Sequence, residues 1–480
     1  MSNTYFNFIS TIKYFNNITI MSSVPLPLAV RQAEKDRFGE VFTPPTLINA
    51  MLDKLPDEVW SDPTKKWLDP ASGFGNFFME VYPRLMKSLE HVIPEPSQRR
   101  RHILTQMLYM VEFNEESCVR IRENPMFVSE DASVNLFCGD FLDQAVGTTA
   151  FTDDITHFDI IVGNPPFNAE QTHKGKKGGG ANLWPKFVEK SLRGGLLKPD
   201  GFLLFVHPAL WRKPSSSSSS SSVNTLFYTM TRENHMIYLE IHNKIDGKRD
   251  FGVQTRYDYY IIQKRPPSQE SGRLTRIKDQ TGRVHESVDL SEWHFFLPNH
   301  SYEIIQHLLL SSPSSVSDVG IHTNTNTNTN TNINTMVLFS RCQYGSDQPW
   351  VSDTQDEQHI YPVVHSTPKT GPRMMWSSKV NTSSTAMFGV PKVIFGESGI
   401  HDVIIDIDGK YGMTQGAIGL KIIATPYTDT VEQEAWQMKR VLESREFHAI
   451  LDAMSFSNFR IDWRMFLYFR PDFYKKIKKC

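Results

Sequence analysis

The stretch Asp159 to Asn168, DIIVGNPPFN, constrains this chain more than any other. The apolar run Ile160 to Val162 has the composition of a buried strand, and Gly163 and Asn164 are followed by two prolines. Proline has no N–H to give to a sheet ladder, so the strand stops at Asn164. Open α/β sheets form their ligand crevice at the carboxyl ends of their strands. An amide side chain, several backbone carbonyls and the flat Phe167 ring are therefore expected to arrive there together.

That arrangement suits methylation of a planar amino group. An exocyclic amine conjugated to a base ring is a poor nucleophile, because its lone pair is delocalised into the ring. If the Asn164 side-chain oxygen and the Pro165 carbonyl accept the two amino hydrogens, the nitrogen moves toward a tetrahedral geometry and the lone pair is freed. Phe167 can stack on the ring and hold it. Such positioning and electrostatics are worth roughly several kcal/mol. Taken alone, NPPF also fits a strand followed by a tight Pro-Pro turn with no chemistry.

With 480 residues the chain is longer than one core usually holds, so two domains with insertions are expected. A formal charge of -2 excludes a uniformly basic coat and leaves only a local patch for nucleic acid. Cys118, Cys138, Cys342 and Cys480 have no CxxC spacing, so neither a metal site nor a disulfide framework is expected, and a reducing interior (cytoplasm or nucleus) fits them. No apolar run approaches a membrane span. Residues 1–30 carry no acid and a single basic residue, Lys13, and read as a disordered leader, with Met21 as an alternative start.

Four more segments place polar residues at loop or strand ends. FTPP puts Thr43 and Pro44 just before an amphipathic helix over about Thr46 to Leu55. WLDPASGFGNF reads as a short strand, a tight loop from Asp69 to Gly75 and a helix from Asn76. Its glycines let backbone approach a ligand, and the helix start favours a carboxylate. The spacing is not the full dinucleotide fingerprint, and no Gly-Lys-Ser/Thr follows for a nucleotide phosphate. The strand Met107 to Asn114 ends with Glu112, where an acid can accept from ribose hydroxyls. After a strand near Val134 to Cys138 comes GDFL, with Asp140 placed to accept from an adenine amino group.

FGEVFTPP, DPASGFGNF, VEFN, GDF and GNPPF, in that order, resemble the S-adenosylmethionine-dependent adenine-N6 DNA methyltransferases of the gamma arrangement, and more narrowly the Eco57I-like and TaqI-like group, with low-complexity runs suggesting a viral or eukaryotic-host version. The resemblance implies an α/β fold: a Rossmann-like methyltransferase domain with a mostly parallel seven-stranded sheet over 31–265. A linker over 266–272 and a smaller mixed α+β target recognition domain over 273–480 would follow. It implies that Thr43 and Pro44 flank the methionine moiety of S-adenosyl-L-methionine, and that Asp69, Ala71, Gly73 and Gly75 form the cofactor loop. Glu112 would hold the ribose, and Asp140 and Phe141 would meet the cofactor adenine. Asn164, Pro165, Pro166 and Phe167 would bind the flipped base, with Phe251 as a looser match to the second aromatic against it. A packed core aromatic explains Phe251 as well.

Outside those motifs, the Gly-rich basic loop 173–180 reads as a phosphate follower or a solvated loop, and 214–223 and 322–335 as flexible low-complexity segments. Pro199-Asp200-Gly201 reads as a turn before a strand, and Asp408-Gly409 as a hairpin. The C-terminal stretch interleaves Arg460, Arg464, Arg470 and lysines with aromatics, which suits DNA contact or a packed helix with a frayed tail. Double-stranded DNA is the expected partner, the chain a monomer, and a separate cognate restriction endonuclease remains open. No metal is expected. A nuclease built on Asp408 and Lys410 with Glu397 or Asp402 is disfavoured, because Asp-Gly is a turn first. No cysteine follows a proline, which removes cytosine carbon-5 chemistry. RNA guanine-N2, protein glutamine-N5 and cytosine-N4 methylation, and a catalytically silent DNA-binding module, remain alternatives. The recognised DNA sequence is not legible.

Overall fold

The computed structural model describes residues 42–143, 145–151, 156–168, 182–213, 226–266, 274–293, 296–310, 336–380, 387–422, 430–456 and 460–477. The leader, the basic loop 173–180, the poly-Ser segment and the Thr-Asn repeat lie outside the described residues. By its contacts the chain forms two compact units, Met1–Lys198 and Pro199–Cys480.

The first unit is an α/β layer structure. Helix α1 (Pro45–Leu52) opens with proline at its first position, where a missing N–H costs nothing, and buries Leu47, Ile48, Met51 and Leu52. After α2 (Glu58–Ser61) come β1 (Trp67–Asp69), α3 (Asn76–Ser88) and α4 (Pro96–His102). Then follow β2 (Leu108–Glu112), α5 (Glu115–Glu123), β3 (Asn135–Cys138), β4 (Phe158–Gly163) and α6 (Trp184–Leu192). Every residue of β1 and β2 is buried, the pattern of a parallel sheet covered on both faces.

Strands β1 to β4 stand in the order β3-β2-β1-β4, and their pairs are parallel. The chain steps outward from β1 to β2 to β3, then returns to the other side of β1 with β4. That reversal is a topological switch point, and it opens a crevice at the carboxyl ends of β1 and β4. The fold class is Rossmann-like α/β. Register is fixed by Trp67 opposite Ile160 and Leu68 opposite Ile161, which brings the loop after Asp69 beside Gly163.

The second unit contains β5 (Leu197–Pro208, entering from the last residues of the first), β6 (His235–His242), α7 (Lys244–Phe251), β7 (Tyr257–Gln263), β8 (Leu274–Lys278) and β9 (Val284–Asp289). Here β7 pairs antiparallel with both β5 and β6, β8 runs parallel to β6, and β9 antiparallel to β8. Pro199-Asp200-Gly201 is not a turn: β5 runs through it, with Asp200 in the left-handed region at φ 61° and its N–H donated to the Lys264 carbonyl.

Further on, β10 (Val337–Leu338), β11 (Val351–Ser352), β12 (Tyr361–Ser366) and β13 (Arg373–Ser377) are followed by β14 (Lys392–Gly396), β15 (Gly399–Asp406), β16 (Gly412–Met413) and β17 (Ala417–Lys421). They make two four-stranded sheets, β10-β17-β14-β15 and β11-β13-β12-β16. Leu338, Val363, Val364, Ile394, Met413 and Ala417 from both sheets share one core cluster. Asp408-Gly409 is therefore no hairpin: the strand after it, β16, pairs with β12 in the other sheet, drawn there by burial of Met413. No helix among the described residues is long and apolar enough to cross a membrane.

Candidate active site

The glycine loop between β1 and α3 is held by hydrogen bonds to its neighbours. Ala71 N–H donates to Asp69 Oδ1 at 3.2 Å, Ser72 N–H to the Val111 carbonyl at 3.0 Å and Gly73 N–H to Glu112 Oε2 at 2.6 Å. Gly75 closes the turn onto the Ser72 carbonyl at 2.7 Å with φ 82°, and caps α3 without any side-chain cap. The first turn of α3 also lacks an acid, which leaves its N-terminal dipole uncompensated by side chains.

Glu112 is the hub. Only 5% exposed, it takes Gly73 N–H on one oxygen and Asn114 N–H on the other at 2.7 Å, while its carbonyl takes Gly139 N–H at 2.8 Å. The β3 loop is thereby fixed beside it. Within that loop, Leu142 N–H donates to Asp140 Oδ1 at 2.8 Å, and the Phe141 ring stacks on Phe187 with centroids 4.7 Å apart.

These loops and the β4 end enclose a cavity of about 290 Å³, near the lower end of ligand-pocket sizes, which start at about 300 Å³. Of the residues expected in the site, Thr43, Ala71, Gly73, Glu112, Asp140, Phe141, Asn164, Pro165, Pro166 and Phe167 line it. Pro44, Asp69 and Gly75 are not among the lining residues. Asp69 is fully buried, and its Oδ2 has no hydrogen-bond partner among the described residues. Burial pushes its carboxyl up to about 8, against the pull of the Ala71 N–H and with the nearby Glu112 charge adding to the rise. At Gly75 a Cβ would lie 2.5 Å from the Phe127 ring, so glycine serves packing there as well as backbone conformation. Gly163 is needed for close approach: its Cβ would meet Asp69 Oδ1 at 3.0 Å and Pro70 Cδ at 3.3 Å.

Phe251 lies in the second unit, buried and edge-on to Tyr257 at 4.8 Å. The three C-terminal arginines each have an acidic neighbour: Arg460 pairs with Glu397, Arg464 with Asp462 and Arg470 with Asp472. Asp408 and Lys410 pair with each other at the surface. Among the described residues no group of three or more His, Cys, Asp or Glu could hold a metal ion.

Sequence reasoning missed Phe42, Phe113, Leu183 and Phe187 as lining residues. Phe113 carried a signal, an aromatic directly after the strand-end acid, and the structure leaves it 68% exposed at the pocket. Phe42 packs against Phe74 of the glycine loop, with ring centroids 4.9 Å apart and the planes tilted by 32°.

The donor and acceptor set fits a nucleoside that carries an amino acid. The N-terminus of α3 offers N–H donors of the kind that suit a carboxylate, and the buried Glu112 offers acceptor oxygens of the kind that suit a diol.

Residues 107–245 match the family model of the Eco57I restriction-modification methylases. An uncharacterised adenine-specific methylase of Mycoplasma pneumoniae is 28% identical over 238 residues, covering 36% of this chain and 55% of that protein. This chain thus spans about half the length of that curated relative. Among solved structures, the Type IIL restriction-modification enzyme MmeI in complex with DNA aligns with a TM-score of 0.46 at 9% identity, covering 89% of this chain and 67% of that one. The Type ISP enzyme LlaBIII bound to DNA gives 0.45 at 13%, covering 83% and 34%. The M protein of the Type I enzyme EcoKI gives 0.35 at 13%, covering 48% and 44%.

Proposed function

We propose that this chain, whose residues 107–245 match the family model of the Eco57I restriction-modification methylases, transfers a methyl group to the N6 amino group of a flipped-out adenine in double-stranded DNA. The observation that carries the reading is the shared cavity: Asn164 to Phe167 at the end of β4 open onto the same space as Gly73, Glu112 and Asp140. An amine-binding end and a nucleoside-binding end thus adjoin at a switch point.

S-adenosyl-L-methionine, when bound, supplies an electrophilic methyl group on its sulfonium. Glu112 accepts from the ribose hydroxyls, Asp140 from the adenine amino group, and the N–H groups at the start of α3 meet the methionine carboxylate. The Asn164 side-chain oxygen and the Pro165 carbonyl accept the two hydrogens of the target amine and free its lone pair. Phe167 and Pro166 hold the ring and keep water from the amine. The released proton goes to solvent, and no side chain need act as a strong base.

The methyltransferase domain is taken as 31–265 and the recognition domain as 273–480. In favour of a methyltransferase domain that continues past Lys198, the family match over residues 107–245 runs on into β5 and β6. Arg460, Arg464 and Arg470 then face DNA phosphates, exchanging their acidic neighbours for them. The chain works as a monomer.

The test is to incubate the purified chain with methyl-labelled cofactor and, separately, duplex DNA, RNA or protein, and to identify the methylated atom. N6-methyladenine in duplex DNA is expected. Label on a glutamine amide, on guanine N2 or on cytosine N4 would replace the substrate assignment.

A further inference from the structure

Helix α6 is fastened at both ends to the two halves of the cavity. At its start, Leu183 N–H donates to the Phe167 carbonyl at 3.2 Å, and Asn168 bridges to Asn182. Near its other end, Lys190 Nζ donates to the Phe141 carbonyl at 2.7 Å and also to the Asp143 carbonyl. Phe187, one turn before Lys190 on the helix, stacks on Phe141, and the ammonium stands 5.2 Å from the centre of the Phe141 ring.

The turn from Asp140 to Asp143 also has hydrogen bonds of its own. Asp140 Oδ1 takes Leu142 N–H, and the Asp140 carbonyl takes Asp143 N–H at 3.0 Å. The carbonyls of Phe141 and Asp143 converge on one ammonium. Two converging carbonyl dipoles repel one another, and the shared ammonium offsets that repulsion and ties the turn to α6.

We propose that Lys190 is a positioning residue that sets the Asp140 turn for reading the cofactor's adenine ring and, through α6, links that turn to the backbone of Phe167. This rests on the cofactor reading given above. Partial burial lowers the Lys190 pKa while Asp140 and Asp143 oppose the fall, as for a cation shared between the turn and the helix.

The experiment measures binding of S-adenosylhomocysteine and S-inosylhomocysteine to the full chain by calorimetry, in the wild type, K190M and K190R. The wild type should prefer the adenosyl ligand by about tenfold or more, since Asp140 accepts from an amino group but repels a carbonyl oxygen. K190M should lose about tenfold in adenosyl affinity and its preference should fall toward one, with K190R restoring part of both. A general loss of structure would weaken both ligands alike, so an unchanged preference in K190M overturns the proposal, as does unchanged affinity. Should K190M melt below the assay temperature, K190Q carries the same comparison. A wild type that binds the adenosyl ligand without preference sinks the role of the Asp140 turn. One that binds neither ligand removes the cofactor reading itself.

Discussion

The Glu112 carboxylate at the end of β2 accepts the backbone N–H of Gly73, 2.6 Å away in the loop after β1. One buried acid thereby holds the glycine loop, the start of the segment leading to α5, and, through its carbonyl, the turn that carries Asp140. The placement of three loops around the cavity depends on this residue.

Glu112→Gln keeps the shape but replaces one acceptor oxygen by a donor that faces an N–H. Cofactor affinity should fall about tenfold or more, since hydrogen bonds to a charged group are worth roughly 1.5–3 kcal/mol. Calorimetric titration checks this, and an unchanged dissociation constant contradicts the ribose role.

Asp69 gives a pH dependence whose sign can be worked out. Its carboxyl is raised by burial from 3.8 to about 8 in the folded chain. The folded state then holds the proton more tightly than the unfolded one. The contribution of Asp69 to stability is complete below 3.8 and is lost as pH rises through about 8. Melting curves of wild type and Asp69→Asn should therefore diverge across that window, the wild type losing stability relative to the variant as pH rises. A constant difference would contradict the burial argument.

Gly163→Ala places a Cβ 3.0 Å from Asp69 Oδ1 and 3.3 Å from Pro70. The loop after β1 must give way, at a cost of about 1–3 kcal/mol in denaturant unfolding. A neutral effect would mean that β4 and that loop are less closely apposed than described.

Phe167→Ala removes the ring expected to stack on the target base. Stacking is worth roughly 1–3 kcal/mol per base, so KM for DNA should rise about tenfold while cofactor binding is unchanged. Equal loss of both would assign Phe167 to packing.

What was legible in the sequence depended on residues whose backbone chemistry leaves few choices. Two prolines after Gly163-Asn164 fixed the end of β4, and Gly75 fixed the loop before α3. The acids at the ends of β1 and β2 could be placed once those strands were known. Harder to read were positions where a distant partner decides. The Pro199-Asp200-Gly201 segment stays in β5 because Asp200 and Gly201 bond to Lys264, just past the end of β7. Asp408-Gly409 failed as a hairpin because Met413 is claimed by a core built from another sheet. Phe187 read as an ordinary inward apolar residue of a helix, and only the folded chain shows that it lines the cavity. Lys190 carried no signal at all, since a lysine on a helix is usually a solvated one.

The most direct measurement is of Asn164→Ala, followed in two assays on the same preparation: single-turnover methyl transfer to duplex DNA and equilibrium cofactor binding. Transfer should be abolished while the cofactor dissociation constant stays within about twofold of the wild type, because the amide acts on the target amine and not on the cofactor. Methylation of adenine that persists at a comparable rate in the variant would contradict the account at its centre.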